Sequence, residues 1–131
     1  MRKRLFHISL LCFCLIISVR CDTYDFPDAP YPRIETLSVT NISRHGVMFH
    51  AKIDLTGDQP IINHGFVWGL QDRFLISNAE KIELGPVSNP HFVHTFAESP
   101  FYARTTYYVR AFVQNESYVV YGAAVPFQGG M

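Results

Sequence analysis

The stretch TTYYVRAFVQNESYVVYGAAVPF, Thr105 to Phe127, decides the fold. Its first half is rich in β-branched and aromatic residues, the composition of a strand. Successive side chains of an extended chain point to opposite faces. Tyr107, Val109, Ala111 and Val113 therefore share one face, and Tyr108, Arg110, Phe112 and Gln114 share the other. The first set is wholly apolar in body and is the natural core face. Asn115-Glu116-Ser117 has turn composition, and Tyr118 to Phe127 returns as a second extended run. A strand, a turn and a strand are the expected unit.

The same grammar extends upstream. Val47, Phe49, Ala51 and Ile53 alternate with Met48, His50 and Lys52, the pattern of a half-buried strand. Ile34 to Ile42 alternates with a break in register. DLTGDQP, Asp54 to Pro60, is a turn in which Gly57 is free to take a positive φ. Ile61 to Gly69 and Phe92 to Glu98 are further strands. Gln71 to Ser88 is the least regular region, with a short edge strand near Lys81 to Leu84. The count is about seven strands in about 95 residues, with turn signals every ten or so, which predicts an all-β sandwich of antiparallel strands. No helical stripe of useful length and no internal repeat accompanies it.

The first twenty residues read differently. Arg2, Lys3 and Arg4 precede an apolar run of 15 residues, Leu5 to Val19. Roughly 20 residues are needed to cross a bilayer, so residues 1–20 are expected to be a signal peptide, with a retained signal anchor as the alternative. All three cysteines lie here: Cys12, Cys14 and Cys21. Cleavage before Cys21 leaves one unpaired thiol at the head of an exported chain, where paired cysteines are the rule. Ser18-Val19-Arg20-Cys21 resembles a bacterial lipobox, with Arg20 standing where a small residue is usual. The resemblance implies lipid attachment at Cys21 and an exported lipoprotein of the outer membrane or cell surface, held to the membrane by its lipid. Residues 21–32, with Asp22, Asp25, Asp28, Pro27, Pro30 and Pro32, are expected to be an extended tether. Residues 33–128 are the expected sandwich, and 129–131 a tail. Two Asn-x-Ser tripeptides, at Asn41 and Asn115, would be glycan acceptors in a eukaryotic secretory pathway.

Gly65-Phe66-Val67-Trp68, Thr105-Thr106-Tyr107-Tyr108-Val109-Arg110-Ala111-Phe112, Tyr121-Gly122 and Phe127 form a set. Together they resemble the strands of fibronectin type III-like domains in bacterial surface lipoproteins, over roughly Pro32 to Phe127. That family usually carries Leu-x-Pro ahead of the Thr-Thr-Tyr-Tyr string, where this chain has Phe101-Tyr102-Ala103. The resemblance implies an immunoglobulin/fibronectin type III-like β-sandwich. Tyr107, Val109, Ala111 and Trp68 are its expected core, with Tyr107 at a tyrosine corner, its hydroxyl bonded to nearby backbone. Strand parity alone does not fix the face of Trp68.

Composition limits the function. From Cys21 onward 7 basic residues face 11 acidic ones, a net charge of −4. An acidic body does not suit nucleic acid, which needs a basic surface. His50, His64, His91 and His94 invite a metal, but His91 and His94, three apart in a strand, point to opposite faces and no ligand pattern surrounds them. No Gly-x-Ser-x-Gly and no phosphate-binding glycine loop occurs. Asp54, Asp58, Asp72, Glu80, Glu83 and Glu98 are scattered rather than paired. Neither catalysis nor a cofactor nor a metal is expected. Tyr108, Arg110, Phe112 and Tyr121 offer aromatic rings around a cation and form the candidate binding face for a protein or a glycan. A non-catalytic membrane-anchored lipoprotein displaying a binding sandwich is the leading expectation. A carbohydrate-binding module using those rings is the alternative, and burial of the rings would count against it.

Overall fold

A computed structural model describes residues 29–130. The expected signal peptide, Cys21 and most of the tether lie outside the described residues. Within them the chain is all strand and turn, with nine strands in two antiparallel sheets. The first sheet contains β1 (Arg33–Thr36), β2 (Thr40–Ser43), β3 (Gly46–Leu55) and β6 (His91–Phe96). The second contains β4 (Asn63–Gly69), β5 (Glu80–Glu83), β7 (Thr106–Gln114), β8 (Val119–Tyr121) and β9 (Val125–Gln128).

The register explains why about seven expected strands became nine. Ala51 pairs with Thr36 on one side and Phe92 on the other, and Met48 pairs with Thr40 and Thr95. β1 and β2 thus lie end to end along one edge of β3, with β6 along the opposite edge. Likewise Val109 pairs with Trp68 and Val125, and Phe112 with Gly65 and Tyr121. β8 and β9 share one edge of β7. Nine segments therefore occupy seven lanes, because the first and last lanes are each broken once. The first break holds Leu37–Val39, followed by Asn41 at φ 52. The second is Gly122-Ala123-Ala124.

The broken last lane is closed by the other sheet. With no strand residue opposite it there, the Ala111 N–H donates to the Thr36 hydroxyl at 2.9 Å, a buried bond between sheets. A side chain at position 122 would strike that same hydroxyl, so glycine is required for β1 to approach.

The core lies between the sheets. β3 buries every second residue from Val47 to Ile53, and these face Phe66, Tyr107, Val109, Ala111, Val113 and Phe127. Phe49 is fully buried at the centre, with the rings of Phe66, Trp68, Phe96, Phe101 and Phe127 all within 5.9 Å of its own. Trp68 takes the inner face, half-buried against this cluster. The Tyr107 hydroxyl accepts the Tyr102 N–H at 3.0 Å, pinning the chain as it enters β7. Phe101 fills the core beneath that bond.

Two boundaries shift from those expected. The tether ends before residue 32, since Pro32 is fully buried and the Pro30 carbonyl accepts the Asp58 N–H at 3.3 Å. That contact sits in the turn where Gly57 takes φ 78. At the other terminus Gly129 is buried, bonded to Thr105 and bridged to Ala103, so it belongs to the packed body rather than to a tail.

Candidate functional site

The expected binding face of Tyr108, Arg110, Phe112 and Tyr121 is not open. Phe112 is fully buried, and Tyr108, Arg110 and Tyr121 are half-buried. The cover is the irregular segment 70–79, which crosses the outer side of β4 and β7. Phe74 inserts there and forms a second small core with Val67 and Phe112, bordered by Ile76, Ala79, Tyr108 and Tyr121. Arg110 and Tyr121 hold the cover down. The Arg110 Nε donates to the Gly122 carbonyl at 2.9 Å, and its Nη1 to the Phe74 carbonyl at 3.4 Å. Its guanidinium lies 4.8 Å from the centre of the Tyr121 ring. The Ile76 N–H donates to the Tyr121 hydroxyl at 2.8 Å. These residues form an internal clasp, and the alternative reading that stacked a sugar on Phe112 is corrected: that ring has no exposed face.

A different apolar feature remains open. At the end of the sandwich where β4 leaves and β7 enters, a cleft of about 430 Å³ is lined by Trp68, Leu70, Pro100, Phe101, Tyr102 and Tyr107. Its back wall is the aromatic core itself. Its rims are Leu70, 65% exposed, and Tyr102, 79% exposed. An aromatic ring standing in water beside a wall of buried rings offers unused contact area. The Tyr102 N–H is bonded to the Tyr107 hydroxyl, and two residues on Arg104 takes φ 59. Glu80 and Thr105 are polar groups at the margin. Tyr102 was visible in the sequence only as one aromatic among several; nothing in its spacing separates it from the buried Phe101 beside it. Leu70 carried one weak signal, a large aliphatic residue between Gly69 and the polar Gln71-Asp72.

The histidines are dispersed. His64 is buried, its Nδ1 2.6 Å from the Gly85 carbonyl and its ring edge against Phe92. His50 meets the Thr40 hydroxyl at 2.7 Å. His94 turns inward beside Phe96, and burial lowers its pKa from the ordinary value. His91 is exposed. Among the described residues no three His, Cys, Asp or Glu side chains converge. Asn115, the second tripeptide asparagine, is 2% exposed, and its side-chain oxygen accepts the N–H groups of Ser117 and Tyr118. It builds the β7–β8 turn and presents no open amide, whereas Asn41 is exposed.

No family model matches the chain, and no curated protein matches it. Among solved structures it is similar to the sensor domain of the anti-sigma factor RsgI4 of Pseudobacteroides cellulosolvens. The identity is 12% and the TM-score 0.55, covering 78% of this chain and 96% of that one. It also matches a structure described as a myokine, at 12% identity and a TM-score of 0.49, over 79% of this chain and 99% of that one. The first likeness shows a shared small β-sandwich.

Proposed function

We propose that this protein is a non-catalytic binding module, a fibronectin type III-like sandwich held to a membrane by lipid at Cys21. The open cleft between Leu70 and Tyr102 receives an apolar or aromatic side chain of a protein partner. The observation that carries the reading is the pairing of a 79%-exposed Tyr102 with a preformed aromatic wall. A similar fold serves as a sensor domain in the anti-sigma factor, so recognition has a precedent on this scaffold, though the site itself must argue the function. Exposed tyrosines supply contact area at small entropic cost and dominate many interfaces. The placement fits a displayed module. Pro30 packs beside Gly57 at one end of the sandwich, while the cleft lies at the other, near Gly129. A lipid on Cys21 would leave the cleft facing away from the membrane.

The test uses the processed chain in its membrane beside a Cys21→Ala variant, screened against a displayed peptide library and a glycan array. Membrane retention should depend on Cys21. Selected peptides should carry an apolar anchor and lose about tenfold or more in affinity to Tyr102→Ala. That variant keeps the Tyr107 bond, which uses only the Tyr102 backbone. Peptide binding unaffected by Tyr102→Ala and Leu70→Asp would remove the cleft from consideration. Glycan binding without peptide binding would replace the protein partner with a carbohydrate.

A further inference from the structure

The two sheets have four edges, and three of them are guarded. The β1–β2 edge is bent by two register shifts and the left-handed Asn41. The β8–β9 edge is interrupted at residues 122–124 and carries Pro126. For β5, the Leu84 N–H bonds the His64 carbonyl at 2.8 Å, so the alternating pattern of an antiparallel ladder assigns Ile82 and Glu80 to β4. Lys81 and Glu83 are left pointing outward, both charged and within 3.6 Å of each other. Charges on an edge discourage strand addition.

Among the described residues β6 is guarded only at its first position, where the His91 N–H donates to the Asn89 side-chain oxygen at 3.0 Å. The Ile53 N–H bonds the Pro90 carbonyl at 2.8 Å, so Phe92, His94 and Phe96 share the hydrogen-bonded positions with β3. His91, Val93 and Thr95 therefore direct their N–H and C=O groups away from the sheet. The facing residue on β3 agrees: His50, opposite Val93, gives its carbonyl to Leu37 on the far side, at 2.9 Å. His91 and Thr95 are exposed, and Val93 is 45% exposed. Residues 91–96 contain no Asp, Glu, Lys, Arg, Pro or Gly.

We propose that the β6 edge pairs antiparallel with β6 of a second copy, across a two-fold axis through Val93. The segment is complementary to itself in that arrangement. Val93 meets Val93 of the second copy, and His91 meets Thr95 of the second copy. Val93 donates one backbone hydrogen bond and accepts one, and the Thr95 N–H donates to the His91 carbonyl of the second copy. The His91 N–H exchanges its acceptor within the chain, the Asn89 side-chain oxygen at 3.0 Å, for the Thr95 carbonyl of the second copy. In the intervening pairs Phe92 meets His94 of the second copy, an aromatic contact with no opposing formal charges at neutral pH. The result is an isologous dimer in which the two first sheets run on as one. A second copy is favoured over an unrelated strand because this one segment supplies both halves of the pairing. The edge shares no residue with the cleft, so the inference stands independently of the cleft.

The experiment is sedimentation velocity on the full chain over a wide concentration range, in density-matched detergent, with residue-resolved amide exchange by NMR. The expected result is a concentration-dependent dimer in which the amides of Val93 and Thr95 slow about tenfold or more as dimer accumulates. Val93→Lys should leave only monomer with unchanged melting. Val93→Pro should do the same, since its lost N–H faces away from β3 and proline is tolerated at such edge positions. The pairing is overturned by a monomer at every concentration, by a dimer in which the Val93 and Thr95 amides stay fast, or by a dimer that survives Val93→Lys. Binding of extended peptides to a strictly monomeric chain would likewise overturn it and assign the edge to another partner.

Discussion

Thr36 shows how a single hydroxyl holds two sheets together. It is 7% exposed and the sole hydrogen-bond partner described for the Ala111 N–H where the last lane is broken. A buried donor left without an acceptor costs about 1–3 kcal/mol. Thr36→Val, nearly equal in shape, should lower the unfolding free energy by that amount in urea titration, while Thr36→Ser should stay near the parent. An equal loss in both variants would mean that packing, not the hydroxyl, matters here. His94 sets a pH dependence of opposite origin. Burial lowers its folded-state pKa below the ordinary 6.5. Between the two values the unfolded chain binds more protons, so stability falls as pH drops below 6.5 and levels off once the folded state is also protonated. Denaturant midpoints measured across that range should show the slope, and His94→Gln should flatten it.

At the scale of elements, segment 70–79 behaves as a strap. It contributes one deeply buried ring, Phe74, and is tied by backbone bonds to Arg110 and Tyr121. Segments with few buried contacts open first. Arg110→Met keeps much of the stem's packing but removes both bonds and the charge over Tyr121. Trypsin should then cut after the exposed Arg73 at least about tenfold faster, with global melting changed far less. The strap is also where sequence and structure part company. β3 and β7 were legible because half-burial imprints a period of two on the chain, and residues 106–114 fall within one strand as read. The same logic placed Tyr108, Arg110 and Phe112 correctly on the face opposite the core. Alternation says which residues share a face. It does not say what lies over that face. Segment 70–79 has no period of its own, so its cover could not be read, and Phe112 passed for an exposed ring. The breaks at 37–39 and 122–124 were hidden for a related reason: each preserves the apolar composition of a strand while losing its pairing.

At the scale of the whole molecule, lane count fixes geometry. Seven lanes put the chain's entry and exit at opposite poles: Pro30 packs against the turn at Gly57, and Gly130 approaches Ser43 beside the β2–β3 turn. Dimerisation through β6 would use a flank, leaving both poles free. The polar arrangement also has a mechanical meaning. If lipid at Cys21 holds the chain to a membrane as proposed, a pull at the far pole stretches it along its strands and enters through the buried Pro32 into β1. The β1–β3 bonds run across that direction, so they are loaded together in shear rather than peeled one by one. The buried Pro32 and the Thr36 bond to Ala111 anchor either end of that short strand, transferring tension into both sheets at once. Under such a load the sandwich would yield only when β1 slips as a unit.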